Sequence, residues 1–316
     1  MKKTFSNLVL STFIMVFVSC TPDVKNIPSE LLYKAEATTG EGSIWHPGRK
    51  TLFWVDIEGK TLYEYSPDSQ NCTSWKFDKM VSTVVPETDT TMVVALQNEI
   101  VRINLNNGQT SHITPIPDLQ GKIRCNDGKC DPRGNLWIGT MGFGAPQGAG
   151  TLYCVEPNGN VTAKLKNVTI SNGIVWSSRK NFMYYVDTPT NRIVRFRYDI
   201  NNGDILYDGV AVTIPKGTGS PDGMAIDGND NLWVAHWGGY GVYCYSPYTG
   251  ELLAKVEVPA PNVASCAFGG KKLDTLYITT ARAGLSDKQL KEYPLSGSLF
   301  HCKPNVIGVK AQHFGE

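Results

Sequence analysis

A short motif returns along this chain at intervals of about forty-five residues. It consists of a polar residue, often followed by glycine, then an apolar pair, a turn, and an alternating apolar and aromatic strand. The first copy runs from Glu41-Gly42-Ser43-Ile44-Trp45 through a His-Pro-Gly turn to Leu52-Phe53-Trp54-Val55-Asp56. A weaker second copy joins Ser82-Thr83-Val84-Val85 to Met92-Val93-Val94-Ala95. Four clearer copies follow, starting at Asn126-Asp127-Gly128, Asn172-Gly173-Ile174, Asp222-Gly223-Met224 and Ser265-Cys266-Ala267. No unit of three or four short strands covers both faces of its own sheet, so the units must stack around an axis. The expectation is an all-β chain folded as a six-bladed β-propeller over residues 30–316. A β-sandwich would use similar strands but would not impose the fixed period.

Charge narrows the partners. The 30 Lys and Arg residues nearly balance 29 Asp and Glu, with no basic run, which argues against a nucleic-acid partner. The start of the chain differs in kind. Lys2 and Lys3 precede an apolar stretch from Leu8 to Val18, which is too short to span a bilayer and fits a signal peptide over residues 1–20. Phe17-Val18-Ser19-Cys20 resembles a bacterial lipobox, with Phe17 standing where an aliphatic residue is usual. That resemblance implies a lipidated Cys20, a tether over residues 21–29, and an exported protein held at the cell envelope through its N-terminal lipid. The remaining seven cysteines are scattered, which is no disulfide framework. Cys125 and Cys130 match no zinc spacing and read as buried thiols.

In a propeller the first strand of each unit lines the axis, so residues at one phase converge on one mouth. Glu41, Asn126, Asn172 and Asp222 share that phase, and all present oxygen. Such a set suits a hard divalent cation such as calcium, magnesium or manganese, with zinc as a substitute. Asp-Gly and Asn-Gly are also common turn signals, and the sequence alone leaves both readings open. His236 and Trp237 end a strand running back toward the mouth. Packing is the ordinary role for His236, and a substrate contact is the alternative. The Gly-rich run Gly142 to Gly150 is a loop on the mouth side, either a lid or slack.

The same segments resemble the family of senescence marker protein 30 (regucalcin), gluconolactonases and the luciferin-regenerating enzyme. The resemblance rests on Glu41 to Trp45 with Leu52 to Ile57, on Arg124 to Pro132 with Trp137 to Met141, and on Ile170 to Ser177 with Tyr184 to Thr188. Pro221 to Asp227 and Ser265 to Gly270 complete it, so that it covers roughly residues 30 to 310 in the family's order. It implies one divalent ion held by Glu41, Asn172 and Asp222, with Arg124 and Asn126 contacting substrate. In related organophosphate hydrolases the counterpart of Asn126 is itself a metal ligand. The implied activity is metal-dependent hydrolysis of a sugar or other small lactone, with a metal-polarised carbonyl and Asp222 as general base. A phosphotriesterase-like hydrolase and a non-catalytic metal- or sugar-binding propeller are the alternatives. Animal members carry a further substrate-contacting Glu shortly after the Gly-Thr-Met motif, where this chain has Gly142-Phe143-Gly144-Ala145.

Overall fold

In a computed structural model, residues 24–117 and 121–316 are described. Cys20 and the signal-peptide segment lie outside them. Six strands, Gly40–His46, Val81–Thr88, Ile123–Cys130, Ser171–Trp176, Ser220–Ile226 and Asn262–Gly269, contact one another in ring order, the last returning to the first. Each is the innermost strand of an antiparallel set, and nearly every residue along it is buried. The alternating strands farther out turn polar residues to solvent, as in Asn71–Lys76 and Thr110–Pro115. The hydrophobic gradient within each repeat thus orders its strands from axis to rim.

The expectation of six blades is corrected by the hydrogen-bonding pattern, which defines four discrete four-stranded blades. All other strands belong to one nine-stranded sheet, in which Ser220–Ile226 pairs only with Leu232–Trp237. The link is local: Trp237 pairs with Asn262 at the start of the next innermost strand, and this bridge fuses what the repeat would separate. The same sheet takes in the first and the last of the described strands. Glu30–Tyr33 pairs antiparallel with Leu299–Cys302, so the N-terminal strand closes the ring against the last repeat. Lys25–Pro28, within the stretch read as a tether, forms a parallel outer strand on Leu252–Glu257, and Ser29 Oγ donates to the Glu257 carbonyl at 2.6 Å.

Two buried aspartates repeat one device at the turn after the innermost strand. Asp131 accepts hydrogen bonds from Arg133 N, Asn135 N and Nδ2, Trp137 Nε1 and, from the neighbouring blade, Tyr198 Oη. Asp227 repeats the pattern with Asn229 N, Asn231 N and Nδ2, and Trp233 Nε1. Each carboxylate therefore ties a turn to the indole in the next strand and meets its desolvation with several donors. Cys72, Cys130, Cys154, Cys244, Cys266 and Cys302 remain thiols, and Cys125 is buried. Among the described residues no helix is long and apolar enough to cross a membrane. Replacing Asp227 with Ala leaves four donors around a buried gap and should lower unfolding free energy by about 2–4 kcal/mol in a urea titration.

Candidate functional site

The polar residues at the repeat phase lie at bulges. Pairing between innermost and second strands slips register between Glu41 and Ile44, Cys125 and Gly128, Asn172 and Ile174, and Pro221 and Met224. A bulge sets two residues against one, bends the strand and re-aims side chains. The Gly in this motif serves the bulge rather than a hairpin turn. Gly42 has φ +59, and a Cβ on Gly173 would sit 2.6 Å from the Asp222 carbonyl oxygen of the neighbouring innermost strand. Close approach of adjacent strands therefore requires glycine there, and it brings Asn172 and Asp222 side by side.

Glu41, Asn126, Asn172 and Asp222 are all buried. The carboxyl groups of Glu41 and Asp222 lie close enough for the charge of one to act on the other. Glu41 Oε2 also accepts from Gly42 N at 3.1 Å, whereas Asp222 Oδ1 is buried with no partner. Asn126 Nδ2 donates to Asn172 Oδ1 at 3.0 Å and to the Ser171 carbonyl at 2.8 Å. Asn126 Oδ1 accepts from Arg124 Nη1 at 2.6 Å. Asn126 thus turns its nitrogen to Asn172 and its oxygen to the guanidinium. Asn172 Nδ2 is held by Thr188 Oγ1 at 2.8 Å, and that hydroxyl donates to the Pro221 carbonyl at 2.9 Å. Asn172 is thereby fixed with its nitrogen toward Thr188 and its oxygen toward Asn126.

Electrostatics sharpen the picture. Burial, followed by the Asp222 and Asp127 charges, pushes the Glu41 carboxyl well above the ordinary range. Burial and then the Asp127 charge do the same to Asp222. Arg124 is lowered by burial, while Glu58 and Glu41 act in the opposite direction. Two like-charged groups held together away from water retain a proton unless a cation replaces it. Two carboxyls, one of them with an orphaned oxygen, and an amide oxygen make a donor set that fits a hard divalent ion. Among the described residues no three His, Cys, Asp or Glu side chains group around such a position.

Several positioning residues escaped sequence reasoning. Asp56 accepts from Thr38 N and Thr39 N, both at 3.0 Å, fixing the backbone that leads into Glu41. Asp187 accepts from Thr169 N and Ile170 N, the latter at 2.9 Å, and so does the same for Asn172. The signal was present: Val55-Asp56 and Val186-Asp187 close the second strand of the first and fourth copies at one phase. Glu58 carries no such mark, because only folding brings its exposed turn near Arg124. The Gly142 to Gly150 loop is built of successive turns, including Ala145 N to the Gly142 carbonyl at 2.9 Å, and exposes Phe143. His236 is fully buried and stacks on Tyr243 with ring centroids 4.0 Å apart, and its Nδ1 donates to the Thr218 carbonyl at 2.7 Å. Packing is therefore the role the structure gives it.

An all-β propeller with a buried cluster of oxygen donors on its axis is the class this fold and site define. Residues 39–282 match the family model described as the SMP-30/Gluconolactonase/LRE-like region, and the chain belongs to that family. A Bacillus subtilis protein, YvrE, provisionally named a sugar lactone lactonase, is 36% identical over 278 residues, covering 88% of this chain and 95% of that protein. Zebrafish (Danio rerio) regucalcin is 33% identical over 291 residues, covering 91% and 97%. Among solved structures, a calcium-binding regucalcin from Agrobacterium tumefaciens superposes with a TM-score of 0.88 at 28% identity, over 93% of this chain and 100% of the other. A luciferin-regenerating enzyme gives 0.83 at 33% identity, over 90% and 99%.

Burial lowers the His236 pKa to about 4, so the folded protein keeps this imidazole neutral. In the unfolded chain it titrates near the ordinary value of about 6.5. Its contribution to stability is therefore complete above about pH 6.5 and is lost as pH falls toward 4, because the unfolded state takes the proton first. The loss attributable to this residue amounts to about 2–3 kcal/mol. Urea titrations at pH 7 and pH 4 should show the stability gap between wild type and His236→Gln narrowing by about that amount. A constant gap contradicts the assignment.

Proposed function

We propose that the protein is a metal-dependent lactonase, opening a sugar or other small polar lactone at the mouth formed by Glu41, Asn172 and Asp222. The observation that carries this reading is the pair of buried neighbouring carboxyls, Glu41 and Asp222, one of which has an oxygen without a partner. The names of its relatives support the same reaction class: the Bacillus protein is named for sugar lactones, and the Agrobacterium regucalcin is described as calcium-binding. Glu41, Asn172 and Asp222 would hold the ion, which, when bound, supplies Lewis-acid polarisation of the ester carbonyl and makes water more acidic. The resident ion is one of calcium, zinc, magnesium or manganese.

Asp222 is the general base in this scheme. Its carboxylate accepts a proton from the attacking water as the oxygen adds to the lactone carbonyl. When the ring C–O bond breaks, the same proton passes to the departing alkoxide, leaving a hydroxy acid. Arg124, held by Asn126 Oδ1 and the Cys125 carbonyl, is the cation available to share charge developing on the substrate oxygen. Asn126 acts by orienting Arg124 and Asn172, since its own oxygen is engaged by the guanidinium. Glu58 provides a carboxylate near Arg124 for a substrate hydroxyl, in a chain that lacks one after the Gly-Thr-Met motif. This charged surround favours a polyhydroxylated lactone over an apolar organophosphate.

Activity on glucono-1,5-lactone in a pH-stat, with the four metals compared after chelation, tests the reading. Chelation should abolish turnover and one of the metals should restore it, while Asp222→Asn should keep the fold and lose about 10²-fold or more in rate. Near-normal turnover by that variant removes Asp222 as base. Export with lipidation at Cys20 is proposed alongside. The mass of the mature N-terminus should then carry acyl chains on Cys20, and an unmodified or uncleaved terminus rules the anchor out.

A further inference from the structure

The innermost strands all run in one direction through the ring, so the channel has two chemically different ends. At the far end, Trp45 and Trp176 stand four residues beyond Glu41 and Asn172 and, with Phe268 and Lys129, line a cavity of about 100 Å³ that the C-terminal segment crosses. Little there is free to recognise a ligand. The Lys129 ammonium donates to the Met224 carbonyl at 2.6 Å, and Trp176 Nε1, although without a partner, is buried. Selection among substrates therefore falls to the rim of the mouth, where charged groups stand around the buried carboxyls.

Glu58 stands on that rim. The strand Thr51–Asp56 ends beside Gly40, at the start of the first innermost strand, so the turn that follows it opens on the mouth face. Lys60 N closes this turn on the Ile57 carbonyl at 3.2 Å, and Gly59 N donates to Asp56 Oδ1 at 3.1 Å. Because Asp56 also holds Thr38 N and Thr39 N, one carboxylate couples the turn to the backbone leading into Glu41. Glycine at position 59 is what permits this, since a Cβ there would collide with the Asp56 carboxylate. The neighbouring cations are spent on backbone: Lys60 Nζ donates to the Asp78 carbonyl at 2.9 Å and Lys76 Nζ to the Gly59 carbonyl at 3.1 Å. Glu58 is left exposed on a fixed turn, and among the described residues it makes no ion pair.

Its counterpart is Arg124, from another blade. Of the carboxylates that act on this guanidinium, Glu58 acts most strongly, ahead of Glu41. Arg124 Nη1 is committed to the Cys125 carbonyl and Asn126 Oδ1, while its other three N–H groups have no partner among the described residues. A cation and an anion near enough to act on each other, yet not in contact, match a ligand that presents an acceptor beside a donor. A lactone with a hydroxyl on the ring carbon next to its carbonyl is such a ligand, because the two oxygens sit on adjacent carbons.

We propose that Glu58 is a specificity-determining residue of the mouth, accepting a hydrogen bond from that adjoining hydroxyl, so that 2-hydroxylactones are the preferred substrate class. The assignment rests on the lactonase reading: Arg124 shares the charge that develops on the carbonyl oxygen, and Glu58 takes the neighbouring hydroxyl proton as a hydrogen bond without removing it. An unsubstituted lactone leaves the carboxylate to water. Because Glu58 is exposed, that loss costs about tenfold, well short of the discrimination a buried polar partner gives.

The probes are α-hydroxy-γ-butyrolactone and γ-butyrolactone, with kcat/KM for each measured in a pH-stat on the metal-loaded protein. Comparing the ratio of the two values between wild type and variant cancels the difference in their intrinsic reactivity. Glu58→Gln should lower the ratio in favour of the hydroxylactone by about tenfold, through KM more than kcat, and Glu58→Asp should recover part of it. An unchanged ratio in Glu58→Gln, or an equal loss on both lactones as a purely structural role would give, overturns the assignment. Turnover of neither lactone by the wild-type protein removes the lactonase reading itself, and the role of Glu58 with it.

Discussion

Holding Glu41 and Asp222 against each other away from water is unfavourable for either carboxylate alone, and the rest of the mouth is arranged around that contact. Asn172 turns its oxygen to Asn126 because its amide nitrogen is held by Thr188. Asn126 stands between that oxygen and the Arg124 guanidinium, so a positive charge is coupled to the group without entering its centre. Asp56 and Asp187 keep the preceding backbone segments in place. A site with so many of its groups committed in advance reorganises little when charge develops on a substrate, which is the condition under which electrostatic catalysis is most effective.

The ring that carries this contact is closed by the chain's own beginning. Glu30–Tyr33 completes the sheet of the last repeat, and Lys25–Pro28 extends the neighbouring set, so strands distant in sequence hold the innermost strands at a fixed circumference. Gly173 shows how tight that circumference is, since a single methyl would meet the next strand's carbonyl. The fused nine-stranded sheet is a local consequence of the same crowding: Trp237 reaches Asn262 where two repeats meet. The ends of the channel differ because residues early in each strand bring oxygens together, whereas residues late in them bring indole and phenyl rings around one lysine.

Much of the site was legible before folding. The phase of Glu41, Asn126, Asn172 and Asp222 within the repeat was enough to put them at the bulges of innermost strands, where all four are buried and Asn126 bonds Asn172. What could not be read was how each would be used. Asp-Gly and Asn-Gly signal turns and bulges alike, and only the register slip beside each residue separates the two. Asp56 and Asp187 looked like strand ends because their partners are backbone amides far along the chain. Glu58 near Arg124 and the orphaned Trp176 nitrogen have no local pattern at all, since each is defined by a neighbour from another blade or by the absence of one.

By itself, then, the sequence determined the strand content, the repeat and the shared phase of four oxygen-bearing residues on innermost strands, because these depend on periodicity and on residue type. The tertiary structure decided the number of discrete sheets, the burial of Glu41 beside Asp222, the direction in which Asn126 and Asn172 point, and the cavity at the far end. Those features arise from contacts between strands whose separation is set by packing around the ring. A linear pattern encodes which residues share a phase, whereas distances across a closed circle exist only once the circle has closed.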